Sequence, residues 1–299
     1  MDRLQLMSVY VAVVEAEGFA GGARKLQMSP PAVTRAVAAL EERLGVKLLN
    51  RTTRYVRMTE AGQKYYEDAK RVIALADEAD DAVLGINAEP RGQLTVTASV
   101  LFGRLFVMPG IVEYLRRHPG VEVNALFVDR VVNMLEEGVD VAIRIAELPD
   151  SSYRALRVGS VRRVLCASSE YLETHGIPQT PEDLTRHRII LARGLNPANE
   201  IRFQQNGVPQ VVKLQPILSV SDNDSAASAA LAGLGITRLL NYQIAGFLQS
   251  GQLKILLSEF EVASVPVHIV HREGRHSSAK IRSFVDLMAE RLRAELSLN

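Results

Sequence analysis

Cysteine is nearly absent from this sequence, which has one such residue, Cys166, in 299. A single cysteine excludes an internal disulfide framework, and the apolar segment around Cys166 predicts a buried, unreactive thiol. The N-terminus lacks the charged, apolar and small-residue pattern of a secretory signal, and no apolar run approaches the roughly 20 residues that cross a bilayer. We therefore expect a cytoplasmic protein without a membrane partner.

The sequence also lacks the patterns of nucleotide and metal chemistry. No glycine-rich loop ends in Lys-Ser or Lys-Thr. His268, His271 and His276 are close in sequence, but the first two are expected on opposite sides of a strand, and no thiolate joins them. We expect no catalytic site, no enzyme activity, no bound metal and no cofactor.

Net charge is small, at +1, but it is unevenly distributed. Residues 1–58 contain nine Lys and Arg against five Asp and Glu. A local positive excess favours a polyanionic partner. With 47% hydrophobic and 23% charged residues, the chain is expected to fold throughout, as about two domains.

The stretch SPPAVTRAVAALEERLG, which begins at Ser29, combines helix punctuation with a helical pattern. Ser29 is predicted to cap a helix by accepting hydrogen bonds from its first-turn amides, and Pro30 and Pro31 occupy positions that need no N–H donor. Thr34 and Arg35 are expected on an exposed face. The predicted buried stripe is Val33, Val37, Leu40 and Leu44.

Two further helical patterns precede this stretch, with the predicted stripes Leu4, Met7, Val11 and Val14, and Phe19, Ala23 and Leu26. The short connection to Ser29 is typical of a helix-turn-helix. Downstream, two extended pieces joined by a basic turn with Arg51, Thr52 and Arg54 predict a wing. A recognition helix in the major groove with basic side chains at phosphates or in the minor groove would bind duplex DNA. The alternative is a helical bundle with solvated arginines.

A long helix is predicted from Thr59, its cap, to about Ile86. Its apolar stripe is Gly62, Tyr65, Ala69, Val72, Ala76, Ala79, Val83 and Ile86. Such a stripe needs a partner, and we expect self-association, with packing against the larger domain as the alternative. A dimer would present two recognition helices to two half-sites, which predicts an operator with approximate inverted symmetry. The segment NAEPRGQ, residues 87–93, predicts a linker.

Beyond the linker, strands alternate with helices, which predicts an α/β domain of two lobes that share crossover segments. The helices expected in its first part span 104–117 and 131–137. We place the domains at 1–58, 59–88 and 89–299, with lobe I at about 91–161 and 267–299 and lobe II at about 162–266.

Ligands of open α/β sheets gather beyond the carboxyl ends of strands. Three places fit this rule. The candidates are Ser99, Val100, Phe102 and Gly103 at the first place, Arg144 at the second, and Asn223 and Asp224 at the third. Arg144 could hold a carboxylate with two hydrogen bonds. Asn196, in the loop RGLNPANE, is a further candidate.

From Leu4 to Tyr66 the chain resembles the LysR-type transcriptional regulators of bacteria, through GFAGGARKLQMSPPAVTRAVAALEERLGVKLLNRTTRYVRMTEAG, and the resemblance continues more loosely to the C-terminus. It implies a winged helix-turn-helix, an antiparallel dimer through the linker helix that commonly forms tetramers, and a two-lobed effector domain of periplasmic-binding-protein architecture. The residues implied to face the DNA groove are Ser29, Pro30, Pro31, Thr34 and Arg35, with Arg51 near the minor groove.

The resemblance also implies that the three loop regions above line an effector cleft, that the effector is a small molecule such as a carboxylate, and that RNA polymerase is a further partner. We therefore predict a sequence-specific, effector-responsive DNA-binding regulator. The alternative is a solute-binding protein or enzyme on the same α/β scaffold, with only incidental DNA affinity. That alternative leaves the basic N-terminal module without a role.

Overall fold

The structure is a computed structural model that describes residues 1–51, 56–84, 89–148, 153–193, 199–205, 207–272 and 278–295. It divides into two compact units, one of residues 1–88 and a second that begins at Glu89. The predictions that concern Thr52, Arg54, Ile86, Asn196 and His276 lie outside the described residues.

The first unit has the order of a winged helix-turn-helix followed by a long helix. Its elements are α1 (Arg3–Glu15), α2 (Phe19–Lys25), α3 (Pro30–Leu44), β1 (Leu49–Arg51), β2 (Val56–Met58) and α4 (Glu60–Leu84). β1 and β2 pair antiparallel, as expected for the two sides of a wing. Gln27 adopts a left-handed conformation (φ 53°), which allows the sharp turn from α2 into α3.

The predicted buried face of α1 is wrong. Leu4 is exposed and Val11 and Val14 are only partly buried, so Met7 alone of that stripe is fully inside. The buried side chains of α1 are Leu6, Met7, Val9, Tyr10, Ala12 and Val13. This helix contacts α2, α3 and α4, so its apolar surface covers more of its circumference than a single stripe.

The second unit contains β3 (Gly92–Ala98), α5 (Val100–Phe102), α6 (Met108–Arg117), β4 (Val121–Phe127), β5 (Val141–Ile145), β6 (Tyr153–Val161), β7 (Arg163–Ser168), α7 (Ser169–His175), β8 (Ile189–Ala192), β9 (Glu200–Gln205), β10 (Val208–Lys213), β11 (Pro216–Val220), α8 (Asn223–Leu231), β12 (Ile236–Leu240), α9 (Ala245–Gln249), β13 (Leu253–Leu256), β14 (Val265–Arg272) and α10 (Ala279–Ala294). Short 3₁₀ helices cover Pro181–Arg186, Asn241–Gln243 and Ser258–Phe260.

These strands form two five-stranded sheets, one in each lobe. The first lobe has the order β4-β3-β5-β14-β6 and the second β11-β8-β12-β7-β13, while β9 and β10 form a separate hairpin. In the first lobe β3 runs parallel to β4 and β5, and in the second β8 runs parallel to β11 and β12. The remaining pairs in each sheet are antiparallel. The carboxyl ends of the parallel strands therefore meet at one edge of each lobe.

Two helix predictions in the first lobe need correction. The helix expected from 104 begins at Val100, and it includes a π-helical turn over Gly103–Val107 before α6. Residues 131–137 form no helix. Instead, this segment forms hydrogen-bonded turns, in which the Glu137 amide donates to the Asn133 carbonyl and the Val139 amide to the Met134 carbonyl. Arg130 also forms an ion pair with Glu137.

The C-terminal helix and the cysteine are placed as predicted. Ile281, Val285, Met288 and Leu292 of α10 are buried in the core of the first lobe. Cys166 is buried and free, and burial raises the pKa of its thiol to about 12. In the described part of the chain no single helix has the length and apolar composition of a membrane span; α1 and α2 meet that test only as a pair bent by 119°.

Candidate DNA-binding surface and effector cleft

The first turns of α3 present a polar, basic face. Ser29, Pro30, Pro31 and Arg35 are exposed and Thr34 is half-buried. The opposite face packs into the core. Its buried residues are Val33, Ala36, Val37, Leu40 and Glu41. The Arg35 guanidinium forms no hydrogen bond or ion pair with any residue that the structure describes, so it is free to meet an external group.

Ser29 occupies the N-cap position, but the predicted capping bond is absent. Its side chain accepts no hydrogen bond from the first turn of α3. Pro30 and Pro31 have no N–H, and the amides of Ala32 and Val33 donate to the Ser29 carbonyl at 2.9 and 3.1 Å. Pro31 thus removes one of the two amides that could have donated to the hydroxyl, and the other, that of Ala32, donates to the Ser29 carbonyl instead. The Ser29 side chain stays exposed at the start of the helix.

Glu41 connects α3 to the wing from inside the core. Its side chain is 2% exposed and accepts hydrogen bonds from the backbone amides of Leu48 and Leu49 at 2.9 and 3.1 Å. Lys47 Nζ donates to the other carboxylate oxygen at 2.7 Å. Burial alone would raise the pKa of Glu41, but these hydrogen bonds together outweigh it and lower the pKa.

The start of α4 is fixed to the wing at Gly62. Thr59 caps the helix as predicted, since the Gly62 amide donates to its hydroxyl at 2.9 Å. The buried Tyr10 hydroxyl donates to the Gly62 carbonyl at 2.9 Å. A Cβ at position 62 would lie 2.0 Å from the Leu48 carbonyl oxygen, so this glycine is required by close packing.

The apolar stripe of α4 divides into two parts. Gly62 and Ala69 are buried against the winged domain. Farther along, Val72 is 42% exposed and Ala79 is exposed as well. Leu75, which borders the stripe three residues after Val72, is 52% exposed. The second part of the stripe therefore has no cover within the described first unit.

In the second unit, Ser99 lies where the two lobes meet. It follows β3, and its hydroxyl oxygen is buried without a well-formed hydrogen bond in the described chain. Tyr242, which follows β12 of the other lobe, is also buried. Burial raises the pKa of Tyr242 to about 12, and the neighbouring Ser99 hydroxyl lowers this pKa in part. Asp129 and Asp224 lie near enough to raise this pKa further. Ser99 and Asp224, from two of the three predicted places, therefore both lie near Tyr242.

Phe102 and Gly103 are both buried. Phe102 is fully buried, with ring centroids 4.8 Å from Phe106 and 5.4 Å from Tyr242. A Cβ at Gly103 would lie 2.5 Å from the Phe127 ring. Val100 is exposed, but its amide already donates to Asp129 at 3.0 Å. In this conformation the side chain of Phe102 and the backbone of Gly103 are inaccessible to a ligand, and the Val100 amide is already engaged.

Arg144 has a partner within its own lobe. Its guanidinium donates to the Val132 carbonyl at 2.7 Å, and Glu137 lies close enough to affect its pKa, which burial lowers. Arg144 therefore holds the segment that follows β4. This hydrogen bond to a backbone carbonyl does not support the predicted role of Arg144 in binding a carboxylate.

The third predicted place consists of a cap and the helix it caps. Asp222 is the N-cap of α8 and accepts from the Ser225 amide at 2.7 Å, so Asn223 and Asp224 are the first helical residues. Asn223 lines a cavity of 470 Å³ in the second lobe. Arg163 and Arg238 also line that cavity, and neither was predicted from the sequence as a site residue.

The described structure thus combines a winged helix-turn-helix, a long helix with a half-exposed apolar stripe, and an α/β domain of two lobes, each built on a five-stranded sheet. This combination defines a DNA-binding regulator with a ligand-binding domain. Residues 4–63 match the family described as bacterial regulatory helix-turn-helix protein, lysR family, and residues 87–293 match the LysR substrate binding domain. The chain belongs to the LysR family of bacterial transcriptional regulators.

Relatives and solved structures agree along most of the chain. An HTH-type transcriptional repressor of Pseudomonas aeruginosa is 32% identical over 97% of this chain and 92% of its own length. The activator AaeR of Escherichia coli is 30% identical, over 97% and 94%. The structure of CrgA, a LysR-type regulator from Neisseria meningitidis, is similar with a TM-score of 0.62 at 30% identity, covering 96% of this chain and 98% of that one. The predicted family, fold and regulatory function are confirmed.

Proposed function

We propose that this protein binds an operator of approximate inverted symmetry as a dimer held by α4, and that a small molecule in the inter-lobe cleft changes this binding. Assembly of dimers into tetramers and contact with RNA polymerase are part of the same proposal. In it the chain acts as a regulator and not as an enzyme. The domain boundaries are proposed at 58/59 and 88/89.

The proposed DNA contacts are Ser29, Pro30, Pro31, Thr34 and Arg35 in the major groove, and Arg51, Thr52 and Arg54 of the wing at phosphates or in the minor groove. The observation that carries the first group is the exposed Arg35 guanidinium, which has no protein partner in the described ranges and stands on the second helix of a helix-turn-helix. Arginine in this position can donate two hydrogen bonds to a guanine edge.

The operator itself is found by incubating purified protein with fragmented genomic DNA of its host and sequencing what is bound. On that operator, Arg35→Ala is expected to lose about tenfold or more in affinity while binding to unrelated duplexes changes less. Arg51→Ala is expected to weaken binding to the operator and to unrelated duplexes alike, and to reduce the slope of log affinity against log salt concentration by about one. Arg43→Ala, which removes an exposed arginine from the last turn of the same helix, is the control. Equal losses for Arg35→Ala and Arg51→Ala on every duplex would refute base readout by Arg35.

The proposed effector cleft lies between Ser99 and Asp129 of one lobe and Asp224 and Tyr242 of the other. Its support is the contact of the Tyr242 ring with Phe102 and Phe106 across the lobes, at centroid distances of 5.4 and 5.6 Å, together with the buried Ser99 hydroxyl that has no well-formed hydrogen bond in the described chain. Ser99, Val100, Phe102, Gly103, Arg144, Asn196, Asn223 and Asp224 stay as the candidate lining. A ligand that favours one arrangement of the lobes would shift the equilibrium of the attached DNA-binding units.

Filling this cleft tests the proposal. Ser99→Phe is expected to weaken binding of an effector, chosen from metabolites of the genes beside the operator, by about tenfold or more, because the phenyl ring would occupy space that the ligand needs. The measurement is operator affinity by fluorescence anisotropy with and without that effector. Ser258→Phe, at an exposed position of the second lobe, should respond like the parent protein. An undiminished response of Ser99→Phe would move the effector elsewhere.

A further inference from the structure

A cavity of 470 Å³ lies in the second lobe, between its sheet and the β9–β10 hairpin. Its walls include the aliphatic residues Leu165, Ile189, Ile201 and Ile236. The volume falls within the roughly 300–1,000 Å³ of small-molecule sites. The interior is therefore large enough and apolar enough for the body of a small organic ligand.

Two arginines lie on the same face of the sheet beside this cavity. β12 and β7 pair antiparallel with Arg238 opposite Leu165 and Leu240 opposite Arg163. Opposed residues share a face, as do alternate residues of one strand, so Arg163 and Arg238 are diagonal neighbours. Both line the cavity, with Arg163 exposed and Arg238 half-buried, and Arg202 of the hairpin lines it too.

Neither guanidinium has a counter-charge in the described protein. Arg163 and Arg238 form no hydrogen bond or ion pair there, and Glu200, which also lines the cavity, does not pair with them. The adjacent Arg162 differs, because its guanidinium makes two hydrogen bonds to Glu261 at 2.8 and 2.7 Å. Arg238 is a half-buried cation beside a second cation and has no partner in the described chain. Such a charge destabilises a fold, so its presence favours an external anion.

The two charges affect each other. Burial lowers the pKa of Arg163 and, together with the charge of Arg163, lowers that of Arg238 to about 10. A pKa of about 10 still leaves Arg238 positively charged at neutral pH. Both guanidinium groups are therefore cations there, and an anion placed between them would relieve their repulsion.

We propose that this cavity binds a small carboxylate with an aliphatic body, whose carboxylate is held by Arg163 and Arg238. Guanidinium groups match the carboxylate in geometry and charge, and the branched aliphatic walls match the body of the ligand. The proposal adds a ligand site within the second lobe to the cleft of the proposed function, and it rests on that function only in taking the ligand to be an effector. It also assigns to Arg163 and Arg238 the anion-binding role that the sequence suggested for Arg144.

The test uses the full-length protein and two probes of the same shape, hexanoate and its neutral amide, hexanamide. By isothermal titration calorimetry, we expect hexanoate to bind with one site per chain and hexanamide about tenfold or more weakly, because the charge-assisted hydrogen bonds are lost. Arg163→Gln and Arg238→Gln should each weaken the binding of hexanoate about tenfold or more. Arg186→Gln, which removes an exposed arginine of the same lobe outside the cavity, should bind hexanoate like the parent protein.

Folding of the variants is checked by thermal unfolding without ligand. Arg238→Gln should unfold at the same temperature as the parent or higher, since it removes an unpaired, half-buried charge. The proposal is overturned if hexanoate does not bind, if hexanamide binds equally well, or if a folded Arg238→Gln variant binds hexanoate like the parent. Operator binding is measured separately without ligand, so a protein that binds hexanoate but no operator would contradict the proposed function and leave the anion site standing.

Discussion

Replacement of Leu75 by glutamate is expected to separate the dimer and to weaken binding to a two-half-site operator by about 100-fold or more. Leu75 is 52% exposed and Val72 is 42% exposed, although both lie on the apolar side of α4. In a two-fold symmetric dimer one substitution changes the interface twice. The dimer then loses the free energy of burying two leucine side chains, about 1.5–3 kcal/mol each. The two introduced carboxylates must also lose their hydration, or the two helices must move apart.

The large effect on DNA follows from linkage of the half-sites. A monomer holds one recognition helix against one half-site, whereas a dimer delivers the second helix at high effective concentration. Sedimentation velocity would report the mass of the Leu75→Glu variant, and fluorescence anisotropy would compare the whole operator with an isolated half-site. We expect the half-site affinity to be nearly unchanged.

The matched control is Ile177→Glu, because Ile177 is 56% exposed and belongs to the second lobe and not to α4. It introduces the same charge at an apolar residue of similar exposure. If Leu75→Glu sediments as the parent protein does and retains its operator affinity, α4 is not the dimer interface. The exposed stripe would then be covered by another partner.

Local sequence signals were sufficient to place the starts of α3 and α4, because prolines mark the first and a capping threonine marks the second. Pro30 and Pro31 begin α3, Thr59 begins α4, and both boundaries agree with the structure. The same local reasoning failed for α1, because a helix with neighbours on several sides has no single apolar stripe. It also placed a helix over 131–137, where polar side-chain contacts stabilise turns instead.

Contacts between distant segments were beyond such reasoning. Arg163 and Arg238 are 75 positions apart and become neighbours only through the register of β7 against β12. The partner of Arg144 likewise depends on how the segment after β4 folds back. Glu41 did carry a signal, since it continues the four-residue steps of Val33 and Val37 on the buried face of α3. A carboxylate in an apolar stripe indicates a buried structural acceptor.

Replacement of this acceptor by alanine is expected to destabilise the wing by about 3 kcal/mol. Glu41→Ala leaves the amides of Leu48 and Leu49 without their acceptor, and each buried unsatisfied donor costs about 1–3 kcal/mol. Hydrogen exchange of the full-length protein measures the effect at those amides, which should exchange about 100-fold faster. Glu42→Ala, which removes the exposed neighbouring carboxylate, should leave their exchange unchanged. Similar exchange in the two variants would show that Glu41 does not hold the wing.

The same carboxylate predicts a pH dependence with a definite sign. Because the pKa of Glu41 is lowered in the folded state, the folded protein binds fewer protons at this carboxylate than the unfolded chain does at the same pH. Its contribution is fully present above the unfolded pKa of about 4.3 and is lost as pH falls through the folded pKa. Protection of the Leu48 and Leu49 amides should therefore decrease in acid in the parent protein. Glu41→Gln, which keeps an amide oxygen but cannot ionise, should lack this decrease, and an identical acid response in both proteins would assign it to other carboxylates.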